Sequence, residues 1–330
     1  MTSSRGGVVL PDFFRVRQRF DGPRVEDVSA VTRETLESLD LGSRVRRGET
    51  VAVTAGSRGI ANLTLVLEEI VRHLRSLGAE PFIVPAMASH GGGTAEGQLR
   101  ILSSYGITEE SCGCPIRSAM EVVQVCDSKL GFPVLFDRNA FEADHVVICN
   151  RVKPHTLFSG PIESGLLKML MIGLGKRDGA GLYHRAILEH GYSAVLADVG
   201  PELLERCGVL AGVALIERGG DQTARVEALR PERFFSDEPR LLEIARRLMP
   251  CLPFSDLDLL LIDEIGKNLS GSGLDVNVVG RKSSLHRAAK GEPVRVRFIA
   301  VRSLTRATLG NAVGIGVTEF CRSRVIREMD

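Results

Sequence analysis

Two histidines bracket a lysine within one continuous stretch of this chain. Asn150-Arg-Val-Lys-Pro-His155 runs on through Thr-Leu-Phe-Ser-Gly-Pro-Ile-Glu-Ser-Gly-Leu-Leu to Lys168, and a glycine-rich segment then closes on Tyr183-His184. The chain has only seven histidines in 330 residues. Near neutral pH histidine serves as acid, base or neutral metal ligand. A lysine embedded in apolar residues is expected to have a lowered pKa, which leaves more of it uncharged and nucleophilic. The combination suits the tethering and use of an organometallic or carbonyl-type cofactor. A third histidine, His90, precedes three glycines, which permit close backbone approach to a ligand.

Taken singly, each residue has a plainer role. His155 after Lys-Pro could cap a loop, His184 could sit on a helix face, and Lys168 could snorkel from an apolar helix. Only the joint pattern points to a site. His73 and His286 have no such company and read as surface or structural; His145 and His190 carry no assignment.

The elements that must position these residues alternate. Thr50–Thr54 reads as a buried strand entering Ala55-Gly-Ser-Arg-Gly, and Asn62 offers an N-cap to a helix that stops at Gly78. A strand at 81–85 leads into the loop bearing His90, and Thr94 caps the next helix, through Leu102. Strand, helix, strand, helix predicts a parallel sheet with crossover helices. Phe132–Phe136 and His145–Cys149 continue the pattern. Ligands of such sheets collect beyond the strands' carboxyl ends, so the loops carrying Arg58, His90 and His155 should share one rim.

From Gly208 the character changes. Strands are expected at 212–216, 223–229, 257–263 and 295–301, with helices at 238–248 and, rich in small residues, around 305–320. The expected fold is therefore α/β, with two α/β domains, largely parallel sheets and an active site in the cleft between them. Residues 1–205 form the cofactor-binding catalytic domain in this reading, and 206–330 form a C-terminal domain closing over the site.

Bulk composition narrows the classes. Hydrophobic content of 44% and charged content of 25% are those of a soluble globular protein. A net charge of +1 argues against a dedicated nucleic-acid or membrane-surface binder, and Arg44-Val-Arg-Arg47 reads as a solvated face. No segment approaches the ~20 apolar residues needed to span a bilayer. The N-terminus has no signal-peptide core, so a cytoplasmic location with reduced cysteines is expected. Cys112-Gly-Cys114, with Cys126 and Cys149 further on, lacks the paired spacing of a zinc site.

With Ser57-Arg58, His90 in a Met-Ala-Ser-His-Gly loop, Val152-Lys-Pro-His155, and Lys168 followed sixteen residues later by His184, the chain resembles the nickel-pincer lactate racemases and their homologues. The resemblance spans most of the chain and is strongest from about Thr54 to His184. It implies an isomerase that carries a nickel-pincer nucleotide, a pyridinium-3-thioamide-5-thiocarboxylic acid mononucleotide, covalently attached at Lys168. His184 would be the protein's ligand to a square-planar nickel. His90 and His155 would be the two acid/base residues, and Ser57 and Arg58 would contact cofactor or substrate oxyanion. The implied reaction racemises or epimerises a small 2-hydroxy acid. Hydride leaves Cα reversibly for the cofactor while a base takes the hydroxyl proton. Cofactor-synthesis enzymes would be its partners.

Departures from the lactate pattern concern the substrate. Ala55 stands where those enzymes have aspartate, Pro161 and Glu163 lengthen the stretch before Lys168, and Val276 occupies a glutamine position. Lys267, Asn268 and Arg281 are polar candidates for a larger or more acidic 2-hydroxy acid. Two rivals stand beside this reading. A nicotinamide-dependent 2-hydroxy acid dehydrogenase is suggested by Gly173-Leu-Gly175-Lys-Arg-Asp-Gly179, although its third glycine is one residue too far along. A non-catalytic nickel- or nucleotide-binding homologue would need neither His90 nor His155.

Overall fold

Short β-branched runs alternate with amphipathic segments along most of the chain, and the computed structural model, which describes residues 12–57, 59–282 and 292–330, shows how they stack. The strands are β1 (Thr50–Ala55), β2 (Glu80–Pro85), β3 (Val122–Asp127), β4 (Pro133–Asp137), β5 (His145–Arg151), β6 (Val209–Arg218), β7 (Gln222–Leu229), β8 (Asp256–Ile265), β9 (Arg295–Leu304) and β10 (Phe320–Cys321). The helices are α1 (Val28–Glu37), α2 (Leu63–Ser76), α3 (Ala95–Ser104), α4 (Glu109–Cys112), α5 (Arg138–Phe141), α6 (Leu166–Lys168), α7 (Lys176–His190), α8 (Tyr192–Arg206), α9 (Phe234–Leu248) and α10 (Ser323–Glu328).

The main sheet has the order β2-β1-β5-β6-β7. Its first four strands are parallel, and β7 runs antiparallel to β6. Helices cover both faces, which is why β1 is apolar at consecutive positions. Val51, Val53 and Ala55 join the core formed with α1 and α2, whereas Ala52 faces the core formed with α8 and α9. From β1 the chain leaves to β2 on one side and later returns to β5 on the other. That reversal opens a crevice at the carboxyl ends of β1 and β5, the place where open α/β sheets bind ligands.

The structure departs from the sequence reading at four places. The 132–136 strand does not continue the parallel sheet; β4 pairs antiparallel with β3 in a separate ribbon. A tight turn closes it, with Ser128 N donating to Phe132 O (2.8 Å) and Gly131 at φ +88°. Asn62 does not cap α2: it is left-handed (φ +60°) and its amide donates to Thr223 Oγ1 (2.9 Å). A side-chain N-cap needs extended backbone, as Thr94 has where it caps α3 through Gly97 N. The 305–320 segment is no helix but two short 3₁₀ turns, interrupted by left-handed Leu309, Gly310 and Gly314.

The fourth difference concerns the division expected at residue 205, which does not coincide with sheet membership. Strands β6 and β7 belong to the main sheet and α9 packs on it, so the sheet changes only between Leu248 and Asp256. Beyond that point β8, β9 and β10 form a parallel three-stranded sheet with its own core, including Ile265, Ile299 and Val325. No helix among the described residues is long and apolar enough to cross a membrane.

Candidate functional site

Ser57 follows β1, His90 follows β2 and His155 follows β5, so three carboxyl-end loops deliver three of the expected residues to one rim. All three line a single cavity of about 550 Å³, together with Lys168 and His184. Arg58 lies outside the described residues.

Lys168 ends the one-turn helix α6, whose start is tightly built. Asn150 Nδ2 donates to Gly165 O (2.8 Å), and Glu238 of α9 accepts from Leu167 N (3.1 Å). A Cβ on Gly165 would lie 2.1 Å from Glu238 Oε1, so only glycine leaves room for this cap. Glu238 is fully buried, and desolvation pushes its carboxyl up to about 7.

An unbroken α-helix would hold residues 168 and 184 about 24 Å apart, on nearly opposite faces. The chain breaks instead. A π-helical turn spans Met169–Gly173, and Lys176, the first residue of α7, adopts φ +54°. Buried Lys176 holds the break by pairing with Asp137 (2.8 Å) and donating to Pro85 O (2.7 Å). A Cβ on Gly173 would meet Met169 Sδ at 2.6 Å, and one on Gly175 would meet the Tyr183 ring at 2.7 Å. These glycines therefore serve close packing between helices. No strand precedes them, and the dinucleotide-loop geometry that the dehydrogenase reading requires is absent from this segment.

The two loop histidines have different surroundings. His90 Nδ1 contacts Ser57 Oγ, and its loop is anchored by Gln98, whose amide donates to Ala88 O (3.0 Å) and His90 O (3.4 Å). Gly91, Gly92 and Gly93 all take positive φ, and Gly91 packs so closely on Gly97 that a Cβ would lie 2.5 Å from its carbonyl carbon. His155 stacks on Phe158 (4.1 Å between centroids), which stacks in turn on Tyr192 (4.5 Å). Its N–H donates to Glu163 (2.7 Å), and its Nδ1 accepts from Leu157 N and Phe158 N, each 3.1 Å away. Burial, and then the cations of Lys168, Lys282 and Lys153, push the His155 ring down to about 2. His184 stands at the solvent-facing rim, yet desolvation of its ring and Lys168 beside it lower its pKa. Both forces favour the neutral imidazole, the form that ligates metals.

Of the substrate candidates, Lys267 and Asn268 line a second cleft of about 790 Å³ between the two sheet units. It adjoins the first cavity, since Ile60, Arg151 and Lys153 line both. Arg281 is placed elsewhere: it is fully buried, pairs with Glu319 (3.3 Å) and lines neither cleft. Glu319 also accepts from Ile299 N (2.6 Å), which makes this arginine part of the second unit's core.

Sequence reasoning passed over Asn150, Lys153, Glu163 and Glu238 as working residues. Glu238 left a signal, because it shares the apolar stripe of α9 with Leu241, Leu242 and Ala245. Among the described residues no group of three or more histidine, cysteine or acidic side chains could hold a metal.

Comparison with known proteins agrees with the fold. The structure resembles that of the lactate racemase apoprotein from Thermoanaerobacterium thermosaccharolyticum (TM-score 0.55, 13% identity, covering 88% of this chain and 71% of that one). It also resembles a crystal structure of a protein from Thermotoga maritima (TM-score 0.57, 13% identity, covering 83% and 70%). At such identities the likeness establishes the fold. No curated protein gives a match. The model of the lactate racemase N-terminal domain matches residues 19–195, more than half of the chain and every residue of the cavity. Family membership supports a racemase-type or related function, and this chain belongs to the lactate racemase N-terminal domain family.

Proposed function

We propose that this protein is an isomerase that inverts the Cα of a 2-hydroxy acid larger or more acidic than lactate, with a nickel-pincer nucleotide as its cofactor. The observation that carries the reading is the convergence of Ser57, His90, His155, Lys168 and His184 on one cavity at the sheet's switch point. Lys168 is the tether and His184 the protein's nickel ligand. The donor set fits such a group: a single neutral histidine suits a metal whose carbon and sulfur ligands arrive with it. When bound, the cofactor supplies a reversible acceptor for the Cα hydride, so that inversion proceeds without a carbanion. His90 and His155 are the acid/base pair at the substrate hydroxyl, and Ser57 sets the orientation of the His90 ring. Lys153, on the wall shared by the two clefts, and Lys267 and Asn268 beyond it meet the rest of the substrate.

The test uses protein produced together with the cofactor-making enzymes. Intact mass should show an adduct that Lys168→Ala lacks, and metal analysis should show nickel. A panel of enantiopure 2-hydroxy acids should then include one that is inverted. Tight NAD binding by protein with an unmodified Lys168 would replace this reading with a dehydrogenase. An adduct without deuterium exchange at Cα of any panel member would leave a carrier.

A further inference from the structure

Two costs meet at Lys176. Its backbone is left-handed (φ +54°), a conformation that favours glycine, and its side chain is fully buried. Burying an ammonium sacrifices its hydration, and an interior ion pair seldom gains stability over apolar packing. Glycine or an apolar side chain would be the easier occupant. Strain of this kind persists only where the surroundings over-determine it, and it gathers at working sites.

The surroundings do over-determine it. Three acceptors from three separate elements meet the ammonium: Asp137 Oδ2, closing β4, at 2.8 Å, Pro85 O, closing β2, at 2.7 Å, and Gln98 Oε1, in α3, at 3.5 Å. Asp137 is itself fixed, since its N–H donates to Leu174 O (2.7 Å) and its Oδ1 accepts from Ala140 N (2.8 Å). An ammonium has donors only, so the buried Gln98 amide turns its oxygen to Lys176 and its NH2 away. That NH2 donates to Ala88 O (3.0 Å) and His90 O (3.4 Å). The same loop has a second tie to the chain break, because Ala88, also left-handed (φ +52°), donates its N–H to Gly173 O at 3.2 Å. Lys176, Gln98 and Asp137 all stand behind the cavity wall and line no part of it.

We propose that Lys176 is a positioning residue of the site. Through Gln98 it holds the loop of His90 in one place relative to the chain break, which carries Lys168 before it and His184 after it. The roles of those three residues rest on the proposed function. The link sets the main-chain position of the His90 loop, independently of what the His90 ring contacts.

The first test needs no cofactor. Gln98→Met keeps the side chain's length and drops both ends of the link. Lys176→Met with Asp137→Asn removes the ammonium without leaving a buried carboxylate unpaired, and Lys176→Gly with Asp137→Asn also relieves the backbone. In each, amide exchange at residues 88–93 should quicken about tenfold, as the loss of one or two hydrogen bonds implies, while β1 keeps wild-type rates. Gln98→Met added to either Lys176 variant should quicken the loop no further than Gln98→Met alone, because both act through one link. Wild-type exchange at 88–93 in the Lys176 variants, with changes confined to the start of α7, overturns the proposal, and so does an additive effect in combination. In holo protein the variants should keep the Lys168 adduct and lose about tenfold in kcat with KM nearly unchanged. A raised KM with wild-type kcat would also overturn it. Should wild-type holo protein invert no 2-hydroxy acid, the proposed function fails, and loop exchange alone decides the link.

Discussion

Ser57 has no acid/base chemistry of its own at neutral pH, yet its hydroxyl contacts Nδ1 of the His90 ring. It is fixed in turn, because Tyr105 donates to Ser57 O at 3.0 Å. Ser57→Ala should therefore lower kcat roughly tenfold and leave KM nearly unchanged, since acid/base efficiency depends on ring placement. A raised KM with unchanged kcat would show that Ser57 instead binds substrate. His184 allows a separate test, because tether and metal ligand are different residues in the proposed function. His184→Ala should keep the Lys168 adduct in intact mass while metal analysis shows nickel reduced severalfold. Full nickel content in that variant would move the protein's ligand elsewhere.

The segment from α6 to α7 shows what was legible in the sequence and what was not. The types and order of His155, Lys168 and His184 can be read directly, because histidine and lysine stand out chemically against apolar neighbours. Their convergence cannot, since it depends on a π-helical turn and on Lys176 at positive φ, neither of which leaves a period in the sequence. The same holds for Glu238, which caps α6 from a helix seventy residues further on. Its buried carboxyl has a pH signature. The folded group lies near 7 against an ordinary 4.5, so between those values the folded chain keeps a proton that the unfolded chain has released. Stability therefore falls as pH rises through that window and levels off above it, by on the order of 3 kcal/mol. Glu238→Gln should remove this slope, raising the urea midpoint above wild type at pH 8 and matching it more closely at pH 5. Equal midpoints at both pH values would show that Glu238 is not held protonated.

Alternation and handedness predict parallel strands joined by crossover helices, and with them the rim that collects Ser57, His90 and His155 at the ends of β1, β2 and β5. The expected boundary at residue 205 missed where the main sheet ends. β6 and β7 read as well for a new sheet as for an extended old one, because hydrophobic periodicity specifies a strand and not its neighbour. The whole molecule matters for the site because the second unit reaches back to a single loop. Lys153 meets Asp275 at 3.4 Å, Asn277 Nδ2 donates to His155 O at 3.4 Å, and Lys282 meets Glu163 at 2.7 Å. All three links end within or beside the segment that presents His155. Asp275→Asn removes one charge while keeping the Oδ1 that accepts from Asn277 N (3.0 Å), so the turn itself should persist. A partly exposed pair of this kind is worth up to about 1 kcal/mol. Amide exchange across Lys153–Phe158 should then quicken up to about fivefold, with a rise in KM of similar size and little change in kcat. Asp263→Asn, which breaks the exposed pair with Arg302, serves as the control and should leave both unchanged. Faster exchange at α6 with none at Lys153–Phe158 would show that the second unit stabilises the tether rather than the His155 loop.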